Sequence, residues 1–357
     1  MNIFIRTDAS VDISTGHVMR CLVLAEDLRQ HQCHVIFICR ETSGHMIKVI
    51  EQKGFEVWTL PQYKNAQTNL QKWIEKNWET DAKETIELLS KQVKVSWLIV
   101  DHYSLEIKWE RMIKPYVNRL MVIDDLANRL HECALLLDQN VAKMGPCKYL
   151  NLVTEGTVVL SGPKYCLLRQ EFREKRCTRA RNGKVKRILI SFGGSDPTNE
   201  TFKVLQAIHV MDRPEIIVDV VIGDTNPNFS DIKDICEFIP EATIHFQVDY
   251  IAKLMFQADL AIGAGGSTTW ERCFMGLPSL TIETADNQSE ILSLLSERGV
   301  IEHLGKSEDV KPMDITARLQ HLMNSPLKVK KMEKEARSIM KDFDESALVN
   351  LLLKGEE

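Results

Sequence analysis

The chain has 357 residues, 44% hydrophobic and 27% charged, with 45 basic and 50 acidic side chains and a net charge of −5. This length exceeds what one hydrophobic core usually supports, so two domains are expected. The near-balance of charge excludes a polyelectrolyte and implies no nucleic-acid partner. No basic stretch leads into an apolar run near Met1, and no apolar run reaches the length of a membrane span, so a soluble, cytoplasmic chain is expected.

In chain order, "NIFIRT" (2–7) reads as a strand, and a helix from His17 places Val18, Cys21, Leu22, Ala25 and Leu28 on one face. "HVIFIC" (34–39), a helix over 43–53 and "FEVWTL" (55–60) come next. A polar, Trp-dotted stretch then leads to a helix at 81–93, followed by the strands "SWLIVD" (96–101), "LMVIDD" (120–125) and "ALLLDQN" (134–140). A second series begins with "KRILISFGG" (186–194) and a helix at 198–211. It continues with "IIVDVVIG" (216–223), "ATIHF" (242–246), "DLAIGAGG" (259–266) and "PSLTIE" (278–283). The last stretch, 327–354, reads as one long charged amphipathic helix.

Apolar strands alternating with helices predict parallel sheets covered on both faces, hence an α/β fold. The expected domains are 1–160 and 185–325, joined by a linker at 161–184 and followed by a terminal helix over 326–357. A ligand cleft between two such Rossmann-like domains is the natural expectation. The basic run Arg169–Arg187 reads as a solvated linker, with an anionic-ligand or membrane-surface role as the alternative. Nine cysteines at irregular spacing, with no CxxC pair, read as buried free thiols in a reducing compartment.

Three glycine-bearing loops follow strands at helix starts. The first holds Gly16-His17, the second Gly193, Gly194 and Ser195, and the third Gly265, Gly266, Ser267 and Thr268. Glycine permits close backbone approach, and the open N–H groups of a first helical turn favour an anion. Such turns also join strands to helices in every α/β protein, but two in one domain point toward a diphosphate or nucleotide. Neither GxxxxGK[ST] nor GxGxxG is present, so no ATPase or dehydrogenase signature exists.

Glu271 lies one helical turn beyond Ser267; it reads either as a ribose-binding carboxylate or as a solvated helix residue. Asn287 and Gln288, in "TADNQSE", suit sugar hydroxyls, though N-capping explains Asn287 or Asp286 equally well. His17 itself admits three readings: packing or capping residue, metal ligand, or catalytic base. His34, His45, His102 and His131 are scattered, with no HxH or HExxH. Asp101, Asp124 and Asp125 at strand ends are common loop and capping residues, and no metal site is assigned.

Taken together, "RTDASVDISTGHVMRCLVLAEDL", "VDHY", "VIDDL", "LLLDQN", "ILISFGGSDPTNET", "DLAIGAGGSTTWERCFMGLPSLTI" and "ADNQ" resemble the nucleotide-sugar hydrolases of pseudaminic acid biosynthesis. That family also includes spore coat polysaccharide biosynthesis proteins, and the resemblance runs over residues 1–300. Its usual activity is hydrolysis of UDP-2,4-diacetamido-2,4,6-trideoxy-β-L-altropyranose. The resemblance implies a GT-B fold, like that of the lipid-II-forming N-acetylglucosaminyltransferase. It also implies UDP held mainly by the C-terminal domain, a final helix crossing back toward the N-terminal domain, and no cofactor.

By position, the resemblance makes His17 the catalytic histidine and Tyr103 a residue near the sugar. It assigns Gly193–Ser195 and Gly266–Thr268 to the diphosphate, Glu271 to the ribose, and Asn287 and Gln288 to the sugar. Two departures stand out. Ser14 replaces a usual glycine near the pyrophosphate, and Asp249-Tyr250 replaces Asn-Met near the sugar pocket.

A nucleoside diphosphate is a good leaving group and needs little protonation, unlike the leaving group of an ordinary glycosidase. An imidazole, ordinarily near pKa 6.5, suits the remaining task of deprotonating a water. The expected reaction is therefore attack of water at C1 of a UDP-sugar, assisted by His17, releasing free sugar and UDP. A GT-B glycosyltransferase with an acceptor hydroxyl in place of water, and a non-catalytic sugar-nucleotide-binding protein, are the alternatives.

Overall fold

The computed structural model describes residues 1–10, 13, 15–63, 69–91, 94–174 and 179–354. The chain forms two compact units, one of Met1–Leu167 with Phe343–Glu357 and one of Leu168–Asp342.

Unit 1 contains β1 (Asn2–Thr7), α1 (Gly16–Gln30), β2 (His34–Arg40), α2 (Ile47–Gln52), β3 (Glu56–Leu60), α3 (Leu70–Leu89), β4 (Trp97–Asp101), α4 (Ile107–Ile113), β5 (Arg119–Ile123), β6 (Leu135–Asp138) and β7 (Val158–Ser161). The seven strands form one parallel sheet in the order β3-β2-β1-β4-β5-β6-β7. Strand alternation builds a core on each face. Ile3, Ile5, Trp97 and Ile99 pack with Val18, Leu22 and Leu28 of α1, whereas Phe4, Leu98 and Val100 pack with Ile74 of α3 and Trp109 of α4. The five inner strands are buried on both sides, and for that reason they read as continuous apolar runs, whereas the edge strands β3 and β7 are part-exposed.

Unit 2 contains α5 (Gln170–Glu174), β8 (Arg187–Ser191), α6 (Glu200–Met211), β9 (Ile217–Ile222), α7 (Phe229–Cys236), β10 (Ala242–Phe246), α8 (Ile251–Gln257), β11 (Leu260–Gly263), α9 (Thr268–Phe274), β12 (Ser279–Glu283), α10 (Ser289–Glu297), β13 (Ile301–Lys306), α11 (Pro312–Met323) and α12 (Pro326–Ile339). Its six parallel strands run β10-β9-β8-β11-β12-β13. Ile188 and Ile190 face α6 and α11, while Leu189 and Ala261 face α8 and Phe172. Both units are Rossmann-like, as the strand–helix alternation predicted. In each, the strand order reverses beside the first strand, between β1 and β4 and between β8 and β11.

Several expectations change in detail. α3 begins at Leu70 rather than 81, with Asn69 capping Lys72 N–H at 2.9 Å. Strands β7 and β13 add to the sheets. The long helix expected over 327–354 is two helices, because the segment after α12 turns before α13 (Ala347–Leu353). α13 belongs to unit 1, where Leu348, Val349 and Leu352 enter the α1-side core and Trp97 Nε1 donates to Leu352 O at 3.0 Å.

Over the described residues of the basic run, Arg169, Arg179, Arg181 and Arg187 are engaged within unit 2, whereas Lys184 and Lys186 are exposed. Arg179 donates to Phe256 O at 2.7 Å and Gln257 O at 2.6 Å, and Arg169 and Arg187 pair with Glu271 and Asp219. Arg181 is buried and donates to Met255 O (3.0 Å), Ala258 O (2.9 Å), Met275 O (3.0 Å) and Gly276 O (2.9 Å), clamping the carboxyl ends of α8 and α9. A cation suits helix carbonyls that lack intrahelical partners. Among the described residues no helix is long and apolar enough to cross a membrane. Of the nine cysteines, eight are described as free, seven of them buried and Cys147 exposed.

Removing the Arg181 fork strands four carbonyls in a dry site. Arg181→Met is expected to lower unfolding free energy by about 3 kcal/mol. Arg181→Lys, a point donor in place of a fork, should recover only part of that loss, as read by urea denaturation.

Candidate active site

β1 and β4 lie side by side in register, so that Thr7 is level with Asp101 at their carboxyl ends. α1 follows β1 and begins at Gly16, placing His17 and Arg20 one turn apart on the same face. Both reach Asp101, which is completely buried. His17 Nδ1 lies 2.6 Å from Asp101 Oδ1, and Arg20 donates from Nε to Oδ2 at 2.5 Å and from Nη2 to Oδ1 at 2.6 Å. Cys21 adds an S–H donor at 3.5 Å.

Burial alone would raise the Asp101 carboxyl. The charges of Arg20 and His17, with their hydrogen bonds, instead hold it well below the usual carboxylate range. An ionised carboxylate only accepts, so His17 presents an N–H from Nδ1 to Asp101 and its Nε2 points away from that bond.

Arg20 extends the network by donating from Nη1 to Asp125 Oδ2 at 3.0 Å. Tyr103 donates its phenolic O–H to Asp125 Oδ1 at 2.7 Å, and its ring meets His17 edge-on at 4.5 Å between centroids. Asp125 is likewise held below its ordinary range: burial opposes this, but the Arg20 charge and the Tyr103 hydrogen bond outweigh it. The two residues taken from "STGH" and "DHY" therefore meet in one cluster, at the point where the strand order of unit 1 reverses.

His102 stiffens the same turn. It is buried, its Nδ1 accepts from Ser104 N–H at 3.0 Å, and its Nε2 is 3.5 Å from Asp8 Oδ2. Burial pushes its pKa down to about 4, with Asp8 pulling upward and Arg6 offsetting that pull. Among the described residues no group of three or more His, Cys, Asp or Glu could hold a metal ion.

In unit 2, both remaining glycine loops leave the strands flanking the reversal point, after β8 and β11. Gly193 has φ +89°, a conformation that glycine adopts freely. Gly223, after β9, is required in a different way, because a Cβ there would fall 2.4 Å from Gly194 O. Gly193 is exposed and Ser195 half-buried. The helix beyond starts at Glu200 rather than near Pro197 or Thr198, and Asp196 accepts from Glu200 N–H at 3.0 Å and Thr201 N–H at 2.8 Å. A carboxylate of the chain thus caps the first turn of α6.

The Gly265–Thr268 loop differs. Gly266 and Ser267 are exposed, and Arg272 is buried beneath them. Arg272 donates to Ala264 O at 2.7 Å, Thr269 Oγ1 at 3.1 Å and Thr268 Oγ1 at 3.3 Å, all neutral oxygens. Burial lowers its pKa to about 10, against the pull of Cys273 and Glu271. Such a cation makes the loop above it favourable for negative charge.

Glu271 is buried and bound bidentately by Arg169, at 2.7 and 2.8 Å, so it is not a solvated helix residue. Gln288 Oε1 accepts from Gly265 N–H and Thr284 N–H, each at 3.1 Å, tying the third loop to the turn after β12. Asn287 is exposed beside it. Asp249 and Tyr250 are exposed at the start of α8, with Tyr250 Oη 3.2 Å from His245 Nδ1. Ser14 lies outside the described residues.

Motif reading took Asp101 and Asp125 for loop or capping residues rather than partners of the His17 cluster, and it missed Arg20 and Arg272 altogether. Asp101 and Asp125 were visible as acids at strand ends; Arg20 was visible as the one cation three residues past His17.

No family model matches the chain. It is 25% identical over 332 residues to the spore coat polysaccharide biosynthesis protein SpsG of Bacillus subtilis, covering 92% of this chain and 91% of that one. It is 25% identical over 302 residues to the UDP-2,4-diacetamido-2,4,6-trideoxy-beta-L-altropyranose hydrolase of Campylobacter jejuni, covering 84% and 97%. The chain is a homologue of these proteins.

An uncharacterised protein of Methanocaldococcus jannaschii is 28% identical over 298 residues, 81% of this chain; the match spans only 57% of that longer relative. Among solved structures, MurG of Acinetobacter baumannii matches with TM-score 0.64 and 14% identity over 99% of both chains. The glycosyltransferase of kitacinnamycin matches with TM-score 0.68 and 16% identity, over 99% and 98%. At these identities the likeness is one of fold, and the fold is that of the GT-B glycosyltransferases.

The His102 shift predicts a pH effect. The unfolded chain binds this proton below about pH 6.5, whereas the folded chain waits until about 4. Stability therefore falls as pH drops through that window and levels off below it. Between pH 7 and 4 the protein should lose about 3 kcal/mol more than His102→Asn, which keeps an acceptor for the Ser104 N–H, in urea titrations.

Proposed function

We propose that the protein hydrolyses a UDP-activated amino-deoxy sugar to free sugar and UDP in polysaccharide biosynthesis. The observation that carries this reading is the His17–Asp101 pair, an imidazole whose Nδ1–H is committed to a buried, ionised carboxylate. In that arrangement Nε2 acts as general base. It takes a proton from water as the water oxygen bonds to C1, and the C1–O bond to the diphosphate breaks with inversion. Asp101 is then an orienting and charge-stabilising partner, and Arg20 keeps it from taking the proton itself.

The nucleotide falls to unit 2. The Gly193–Ser195 and Gly266–Thr268 loops bind the diphosphate, with Arg272 beneath the second adding positive potential. Glu271 is assigned to the ribose, its carboxylate held in place by Arg169. Asn287 is assigned to the sugar, whereas Gln288 acts chiefly by fixing the loop at Gly265. Tyr103 is assigned to the sugar beside His17. The printed activity of the Campylobacter relative and the polysaccharide role of SpsG support the substrate class.

The glycosyltransferase fold favours a second reading, in which an acceptor hydroxyl replaces water and His17 deprotonates it instead. Incubation with UDP-sugar alone separates the two. Free sugar with UDP, and no acceptor present, marks hydrolysis.

In H₂¹⁸O the label should enter the sugar; label recovered in UDP would exclude attack at C1. His17→Ala should lower kcat by about 10²–10⁴-fold while leaving UDP affinity unchanged. Asp101→Asn should lower kcat comparably, because an amide can present N–H to Nδ1 and reverse the tautomer.

A further inference from the structure

Strand β10 forms one edge of the unit 2 sheet and pairs only with β9. Val218 N–H donates to Glu241 O at 2.9 Å, and Gln247 N–H donates to Ile222 O at 3.0 Å. A parallel ladder alternates, so Thr243 and His245 also turn their backbone groups toward β9. Those of Ile244 and Phe246, with the Ala242 carbonyl, point out of the sheet. Ala242 N–H is spent on Ile239 O at 3.1 Å. Among the described residues no hydrogen bond reaches the outward groups of Ile244 and Phe246.

An open ladder recruits another strand, and sheet edges are normally blunted by charge, proline or a bulge. The opposite edge, β13, is blunted in this way. It carries Glu302 and Lys306, and its register against β12 shifts between Thr281 and Glu283. The β10 sequence "ATIHF" contains no Lys, Arg, Asp, Glu or Pro. Phe246 is 50% exposed, and its ring meets that of Phe229, 38% exposed, at 5.3 Å between centroids. Apolar surface thus lies beside open backbone groups.

We propose that β10 pairs with β10 of a second copy of this chain, antiparallel about a two-fold axis at Ile244. The two unit 2 sheets, six strands from each copy, then become one continuous sheet. Ile244 exchanges both its bonds with its own equivalent, and each Phe246 N–H donates to the Ala242 carbonyl across the axis. The side chains suit this register. Ala242 and Ile244 face the α6–α7 side of the sheet, and Phe246 joins them there beside Phe229 of α7. Pairing sets the large Phe246 against the small Ala242, and Ile244 against itself. On the other face Thr243 meets His245, whose Nε2 is held by Asp219 at 2.9 Å. No like charges are brought together, because Glu241 falls opposite Gln247. A strand from another protein would have to supply this pattern, whereas β10 is complementary to itself. The proposal concerns unit 2 and does not depend on the hydrolase reading.

Five residues and the rings beside them make an interface below the roughly 1,200 Å² of a permanent complex, so the dimer should be reversible, with Kd in the range of about 1–100 µM. Sedimentation equilibrium of the full chain should therefore pass from the 40.9 kDa monomer toward twice that mass as concentration rises from about 1 to about 300 µM. Phe246→Lys puts a charge on the exposed edge, and Ile244→Pro removes an outward N–H that β9 does not use. Each should weaken association at least about tenfold. Circular dichroism checks that both variants fold, and Phe246→Lys, an exposed change, decides alone if Ile244→Pro does not. Thr59→Lys, an exposed change on the edge strand β3 of unit 1, should leave association unaltered. In hydrogen exchange, the amides of 242–246 should be protected at high concentration and lose that protection on dilution.

A chain that stays monomeric over the whole range overturns the proposal and leaves the edge to a strand of another protein. So does a dimer that Phe246→Lys leaves intact, or protection of 242–246 that does not follow concentration.

Discussion

One buried carboxylate organises unit 1. Asp101 ends β4 with no exposure to solvent, and an ion placed there must be matched by charge and hydrogen bonds or it will not remain ionised. The match comes from a single helix: α1 offers His17, Arg20 and Cys21 within five residues, all directed at the same two oxygens. The register of β1 against β4 sets the distance, because the helix that follows β1 can meet Asp101 only if the strand ends are level. Sheet pairing, helix start and tautomer are thus one constraint expressed three times.

The strands were legible because burial on both faces demands uninterrupted apolar runs, as "NIFIR" and "WLIV" show. β13 was not, since "IEHLGK" is half-buried and carries no such run. α3 escaped detection over its first turns, where Trp73 and Trp78 sit among Gln, Lys and Glu and the apolar period is diluted. His17 was legible as a candidate from its place after a glycine. Its partner was not, because a contact 84 positions away depends on which strand lies beside which. The basic run misled for a related reason: net positive charge marks a surface only when no carbonyl or carboxylate inside the fold needs a donor, and here Arg169, Arg179, Arg181 and Arg187 each meet one.

Unit 2 distributes charge on the opposite principle. Asp196 neutralises the first turn of α6, whereas Arg272 stands under the β11–α9 loop against neutral oxygens only. The two glycine loops, alike in sequence, are therefore unlike in field. Glu271 is engaged by Arg169, and that engagement fixes the direction in which its remaining lone pairs accept.

The placement of α13 bears on how the molecule comes into being. Unit 2 is one continuous segment and holds all its strands by Lys306, so it can close as soon as its helices have emerged during synthesis. Unit 1 begins before unit 2 but lacks Leu348, Val349 and Leu352 until unit 2 has been made. The sheet that carries His17 and Asp101 is therefore translated before that of unit 2 and has its core completed after it.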